Sequence, residues 1–299
     1  MKNYSRFIVY VKLILTAIFW GGTFIAGRIV TQQVAPFSAA FIRFVMASVC
    51  LLLIIWQAEG SLPRLQKDQI LPVILLGMTG VFVYNVMFFL GLKTVEASRA
   101  SVIIATNPVF IALFSSILYK EKLSKLQLVG ICISVIGAVL VIVRGDLNQL
   151  FQGNLGWGEL FIFCCVACWV SYSLIGKWVM HELSPLVSVT YSAIIGCAAL
   201  LFPALAEGIV KNLVHFRWNI WIGLGYLAIF GTVLGFVWYY EGVRLIGPTK
   251  AGIFINLVPV SAIMLAVIIL GERVTLSLLA GTILVVLGVF WVNKKIKMH

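Results

Sequence analysis

Ten stretches of about 20 apolar residues fill almost the whole chain, at 11–30, 37–57, 70–91, 98–119, 126–143, 157–178, 186–206, 219–241, 250–270 and 276–293. Each has roughly the 20 residues that a helix needs to cross a bilayer core. Hydrocarbon offers the backbone no partners, so such stretches fold as helices that satisfy their own hydrogen bonds. The connections are short and rich in Pro, Gly, Lys and Arg, as turns between spans are. Only 11% of the 299 residues are charged, against about 25% in a soluble domain. The expectation is an all-α integral membrane protein of ten transmembrane helices.

The net charge of +12 lies in no single patch, so it does not predict a nucleic-acid partner. It reads as a topology signal. With a cytoplasmic N-terminus, fourteen Lys and Arg fall at inner ends and loops and seven at outer ones, which puts both termini inside. Lys2, Arg6 and Lys12 precede an apolar run too long for a signal core and without a small-x-small cleavage site, so the run reads as a permanent span.

The chain also repeats. Residues 91–142 align without a gap on 242–293 at an offset of 151, with twelve identities that include Pro108/Pro259, Glu121/Glu272, Gly130/Gly281 and Gly137/Gly288. At an offset of 149, Trp20 matches Trp169, Gly27 matches Gly176 and Pro36 matches Pro185. The predicted halves are 1–147 and 148–299, with five spans each. An odd span count turns the second copy upside down, and inverted repeats that meet at mid-membrane are a recurring design of secondary transporters.

Several residues stand out against this background. Gly21 and Gly22 let helices approach closely or let the first span flex, with Trp20 as wall or lid of a central cavity. Asn85 follows Tyr84, Asn107 precedes Pro108, and Asn256 stands three residues before Pro259. A span proline removes a donor and frees a carbonyl, so these amides either meet a ligand or bond across helices. Trp169, Tyr172 and Tyr239 add aromatic walls. Arg43, several residues inside the second span, either binds an anion or snorkels to the surface; its repeat counterpart is Ser192, and we group it with the structural positions.

No carboxylate or histidine sits at a span centre, where a proton relay needs one. Cys165 and Cys168 form a CxxC with no His or carboxylate nearby in the same segment, which reads as packing. Without clustered His, Asp, Glu or Ser there is no enzymatic constellation, and no metal or cofactor is expected.

The stretches "WGGTFIAGR", "FIRFVMA" and "NPVFIALFSSILYKEKLSKLQLVG", with "VPVSAIMLAVIILGERVTLSLLAG", resemble EamA-type members of the drug/metabolite transporter superfamily. A proline followed by Glu-[Lys/Arg] occurs twice, at Pro108/Glu121 and Pro259/Glu272. The resemblance implies a ten-helix basket around a central cavity, in a bacterial inner membrane. It implies export of amino acids and other small metabolites, sometimes toxic compounds. The sequence leaves the oligomeric state open; a monomer is sufficient. The cavity-facing spans would be the first, third, fourth, sixth, eighth and ninth. The alternative cargo is a nucleotide-linked or lipid-linked conjugate. The similar four-helix multidrug transporters keep a membrane glutamate in their first helix; this chain has none there.

Overall fold

A computed structural model describes residues 6–118, 123–146, 156–179, 182–246 and 254–293. The helices are α1 (Arg6–Val30), α2 (Pro36–Glu59), α3 (Lys67–Leu92), α4 (Ala97–Leu118), α5 (Lys125–Ile142), α6 (Trp157–Val179), α7 (Pro185–Ala206), α8 (Trp218–Gly242), α9 (Leu257–Leu270) and α10 (Leu276–Asn293). Eight of them, α1 to α8, are long and apolar enough to cross a membrane. The shorter α9 and α10 stand where the last two segments were expected; 250–253, at the start of the ninth, lie outside the described residues. So does the expected boundary between the halves at 147/148.

Chemistry sets the helix starts. Pro36 and Pro185 open α2 and α7 in the first turn, where a missing N–H costs nothing. Ser124 and Gln127 form a reciprocal capping box at α5. Outward-facing Trp56, Ile136, Phe202, Ile268 and Ile283 are each more than half exposed. A shell of that kind is solvated by lipid, and the chain is a multi-pass membrane protein.

Several spans are not regular helices. A π-helical segment interrupts α3 at Gly77–Val83, another lies in α8 at Leu227–Leu234, and a third ends α9 at Ala266–Leu270. The first two hold Gly80 and Gly231, one repeat offset apart. The α4 helix breaks after Ile104 and resumes at Asn107–Pro108. In the second repeat, α9 likewise starts from a turn at Asn256, just before Pro259.

Packing obeys the repeat. A Cβ placed on Gly130 would lie 2.8 Å from the Gly288 carbonyl oxygen, and one on Gly137 would lie 2.7 Å from that of Gly281. Gly130 corresponds to Gly281 and Gly137 to Gly288, so α5 and α10 meet antiparallel in a self-complementary seam. Likewise Gly91 receives Ile162 and Gly242 receives Leu13, and those two side chains are 149 residues apart. The helices of each half pack extensively on the other: α1 on α8 and α9, α2 on α7 and α8, α6 on α3 and α4.

Candidate functional site at the meeting of the repeats

Aromatic side chains from four helices form one cluster. Trp20 on α1 lies 6.1 Å from Trp169 on α6, 5.8 Å from Phe236 and 5.3 Å from Tyr239 on α8, measured between ring centroids. Trp169 in turn meets Tyr84 of α3 at 5.6 Å, Tyr172 at 5.5 Å and Phe236 at 5.5 Å. Most are edge-to-face or tilted pairs, the geometry that ring quadrupoles favour. Trp20, Tyr84, Trp169 and Tyr239 stay half-buried, while Tyr172 is fully buried. The Trp20 indole N–H donates to the Gly231 carbonyl oxygen at 3.0 Å. A Cβ at position 235 would stand 2.5 Å from the indole nitrogen, so glycine there gives Trp20 its place.

The two glycines beside Trp20 have a clear structural role. The α1 helix runs unbroken through Gly21 and Gly22. The Ser261 hydroxyl lies over Gly21 and donates to the Ala17 carbonyl oxygen at 3.1 Å, and the Tyr226 hydroxyl lies over Gly22 and donates to that of Phe19 at 3.1 Å. Small residues here open the α1 backbone to polar groups from α8 and α9.

Against the rings lies a polar cluster. Arg43 is only 6% exposed and points into the bundle; it does not snorkel to the surface. Its Nη1 donates to Asn85 Oδ1 at 2.9 Å, and its Nε and Nη2 donate to Thr232 Oγ1 at 3.2 and 3.1 Å. Both acceptors are themselves held by π-helical carbonyls. Asn85 Nδ2 donates to the Val81 oxygen at 2.8 Å, and Thr232 Oγ1 donates to the Leu227 oxygen at 3.1 Å.

The remaining expected residues take other places. Asn107 and Asn256 are buried at the two helix breaks, and Asn107 Oδ1 has no hydrogen-bond partner. Pro108 and Pro259 lie one turn beyond Ile104 and Ile255, whose carbonyls lose the usual helical donor. Glu272 accepts from the Ala97 and Ser98 amides at 2.8 and 3.0 Å and from the Ser98 hydroxyl at 2.5 Å. It therefore caps α4, the N-terminal dipole of which favours an anion. Its counterpart Glu121 lies outside the described residues.

Sequence reasoning missed three participants. Glu207 caps α2 in the same way, through Phe37 N at 3.2 Å, Ser38 N at 2.7 Å and Ser38 Oγ at 2.8 Å. Phe236 and Thr232 were also overlooked. Phe236 was findable as the repeat counterpart of Asn85. Glu241 pairs with Lys12 at 2.6 Å, and all six cysteines are free. Among the described residues no group of His, Cys, Asp and Glu could hold a metal ion.

Comparison with known proteins agrees with this architecture. Residues 7–143 and 156–294 each match the EamA-like transporter family. The chain is 30% identical to the uncharacterized transporter YyaM of Bacillus subtilis (strain 168) over 281 residues, which cover 94% of this chain and 92% of that one. It is 27% identical to the uncharacterized transporter YetK of the same organism, over 94% and 85% of the two chains. It is also 27% identical to the uncharacterized inner membrane transporter YedA of Escherichia coli (strain K12), over 86% and 81%. A solved crystal structure overlays with a TM-score of 0.65 at 19% identity, covering 96% of this chain and 98% of its own; that likeness concerns the fold. The relatives are named transporters, not enzymes, and this chain is a membrane transporter of the EamA-like family.

Proposed function

We propose that the chain is a secondary carrier that exports small organic metabolites such as amino acids by alternating access. It would work in an inner membrane with both termini cytoplasmic. The observation that carries this reading is the half-buried ring cluster, assembled from Trp20 and Tyr84 of one repeat and Trp169 and Tyr239 of the other. Inverted repeats have two related arrangements around such a centre, one open to each side. The π-helical segments beside the rings, and the proline breaks of α4 and α9, supply points at which the spans can bend. The excess of basic residues at the terminal side supports the orientation, and one copy of the chain encloses the rings. A nucleotide-linked cargo would call for several cations, and Arg43 is the single basic residue deep within a predicted span.

Counterflow tests the reading. Purified protein in liposomes preloaded with a mixed metabolite pool is offered labelled amino acids, nucleosides and sugars in turn, beside protein-free liposomes. Accumulation of one class above the control is expected. Uptake equal to the control across the panel, by protein shown to be folded, rejects the carrier.

A further inference from the structure

Among the described residues no carboxylate pairs with Arg43. Among the described residues the ion pairs are Lys12–Glu241 and Arg99–Glu96, both near span ends. Arg28 donates to the Leu92 carbonyl oxygen at the end of its span. Arg43 instead sits seven residues into α2, roughly 10 Å along the axis at 1.5 Å per residue. Its hydrogen bonds go to an amide and a hydroxyl, and its guanidinium carbon lies 5.4 Å from the centroid of the Phe44 ring. A guanidinium has five N–H donors on three nitrogens; Asn85 and Thr232 engage each nitrogen once, through two oxygens fixed by π-helical carbonyls, which leaves two donors over. An intramembrane cation is costly, and one held by neutral groups is a candidate for function.

The surroundings say what it would meet. Gly231 presents its carbonyl oxygen to the Trp20 indole at 3.0 Å, and a Cβ on the same residue would stand 3.4 Å from Arg43 Nη2. The guanidinium and the ring cluster thus flank one glycine. Tyr84 directly precedes Asn85, so its ring joins the cluster while its neighbour holds the cation. We infer that Arg43 is the recognition site for a carboxylate on the transported solute, with the rings of Trp20, Tyr84 and Trp169 receiving its apolar body. This inference rests on the carrier reading and specifies its cargo: a small organic carboxylate with an apolar or aromatic portion. The planar guanidinium suits a carboxylate, which it can bind through two parallel N–H···O bonds.

Matched probes test it. Phenylalanine, phenylalaninamide, phenethylamine and phenyl phosphate share a ring and differ in the anionic group. Each is measured by thermal shift of the purified protein in detergent, and by competition in counterflow wherever a labelled solute is transported. The wild type is expected to favour the carboxylate over the amide by about 100-fold, the scale of a buried charge left without its partner. R43Q is expected to abolish that preference, while R43K retains part of it. R43Q is first checked for monodispersity; if it fails to fold, the wild-type probe series and R43K decide alone.

Equal affinity for carboxylate and amide, preference for the phosphate, or an unchanged preference in R43Q overturns the assignment. A thermal shift specific to the carboxylate without counterflow of any solute would instead sink the carrier and keep the site. Counterflow of uncharged or cationic solutes only would sink the site and keep the carrier.

Discussion

Gly80 and Gly231 occupy the same place in the two repeats, each inside a π-helical segment, yet different chemistry fills the space over them. Over Gly80 lies the ring of Tyr172. Over Gly231 lies Thr23, the repeat counterpart of Tyr172, with Arg43 Nη2 beside it. The smaller threonine leaves the room that the guanidinium takes, and where tyrosine fills that room the counterpart of Arg43 is Ser192. The backbone frame is shared; its filling is not. In the proposed alternating access, a symmetric frame would serve two end states that resemble each other, and an asymmetric filling would give a solute one way to bind.

The sharpest break of this comparison is at the seam. Gly137→Leu and its repeat counterpart Gly288→Leu each drive a side chain into the facing backbone of α10 or α5. Each is expected to cost about 3 kcal/mol or to prevent folding, read from thermal unfolding in detergent. Markedly unequal damage would mean that the frame is less symmetric than its contacts.

Next comes the exchange of fillings. Thr23→Tyr sets a ring against Arg43 and is expected to destabilise by about 2 kcal/mol. Adding Arg43→Ser, which copies the other repeat, should restore about 1 kcal/mol of that loss, the scale of coupling between touching residues. Additive losses in the cycle would show that Thr23 and Arg43 do not share one space.

The helix caps, through which the second half holds the first at α2 and α4, probe the contact between the halves more gently. Glu207→Ala and Glu272→Ala each strip a carboxylate from two amides and a serine. Losses of about 1 kcal/mol each are expected, and a shift in unfolding temperature for one variant alone would separate the two caps. The smallest effect is that of Trp20→Phe. It keeps an aromatic ring but drops the bond to Gly231, for about 0.5 kcal/mol of stability. Transport by this variant, read by counterflow, is expected to weaken more than its stability.

Much of the frame could be read from residues alone because apolar length and glycine spacing act locally. Eight of the ten expected segments appear as helices long and apolar enough to cross the hydrocarbon, and the repeat follows from coincident Pro, Gly and Glu. The rings of Trp20, Tyr84, Trp169, Tyr172 and Tyr239 were legible as aromatic positions in the spans expected to face inward, and the structure brings them together. The π-helical segments were not legible. Their extra residue is accommodated by what packs on Gly77, Gly80 and Gly231 from α6, α7, α1 and α2, and no property of "GMTGVFV" alone reports it. Arg43 was ambiguous for a similar reason. Sequence places its Cα at a depth, whereas Asn85 and Thr232, 42 and 189 residues away, decide where its charge goes. Glu207 escaped notice because a cap on a distant helix leaves no local signature.

The interlocking of the halves has a consequence for biogenesis. The first half leaves the ribosome with α1, α2, α3 and α4 lacking the partners that α6 to α9 later provide. Until the second half is made, the faces that carry Trp20, Arg43 and Asn85 have only lipid and each other to rest against. The contacts that bury these faces exist only once both halves are present. A lesion in α8 therefore acts backwards in time, by depriving an already inserted first half of Thr232 and leaving Arg43 with Asn85 alone of its two hydrogen-bond partners.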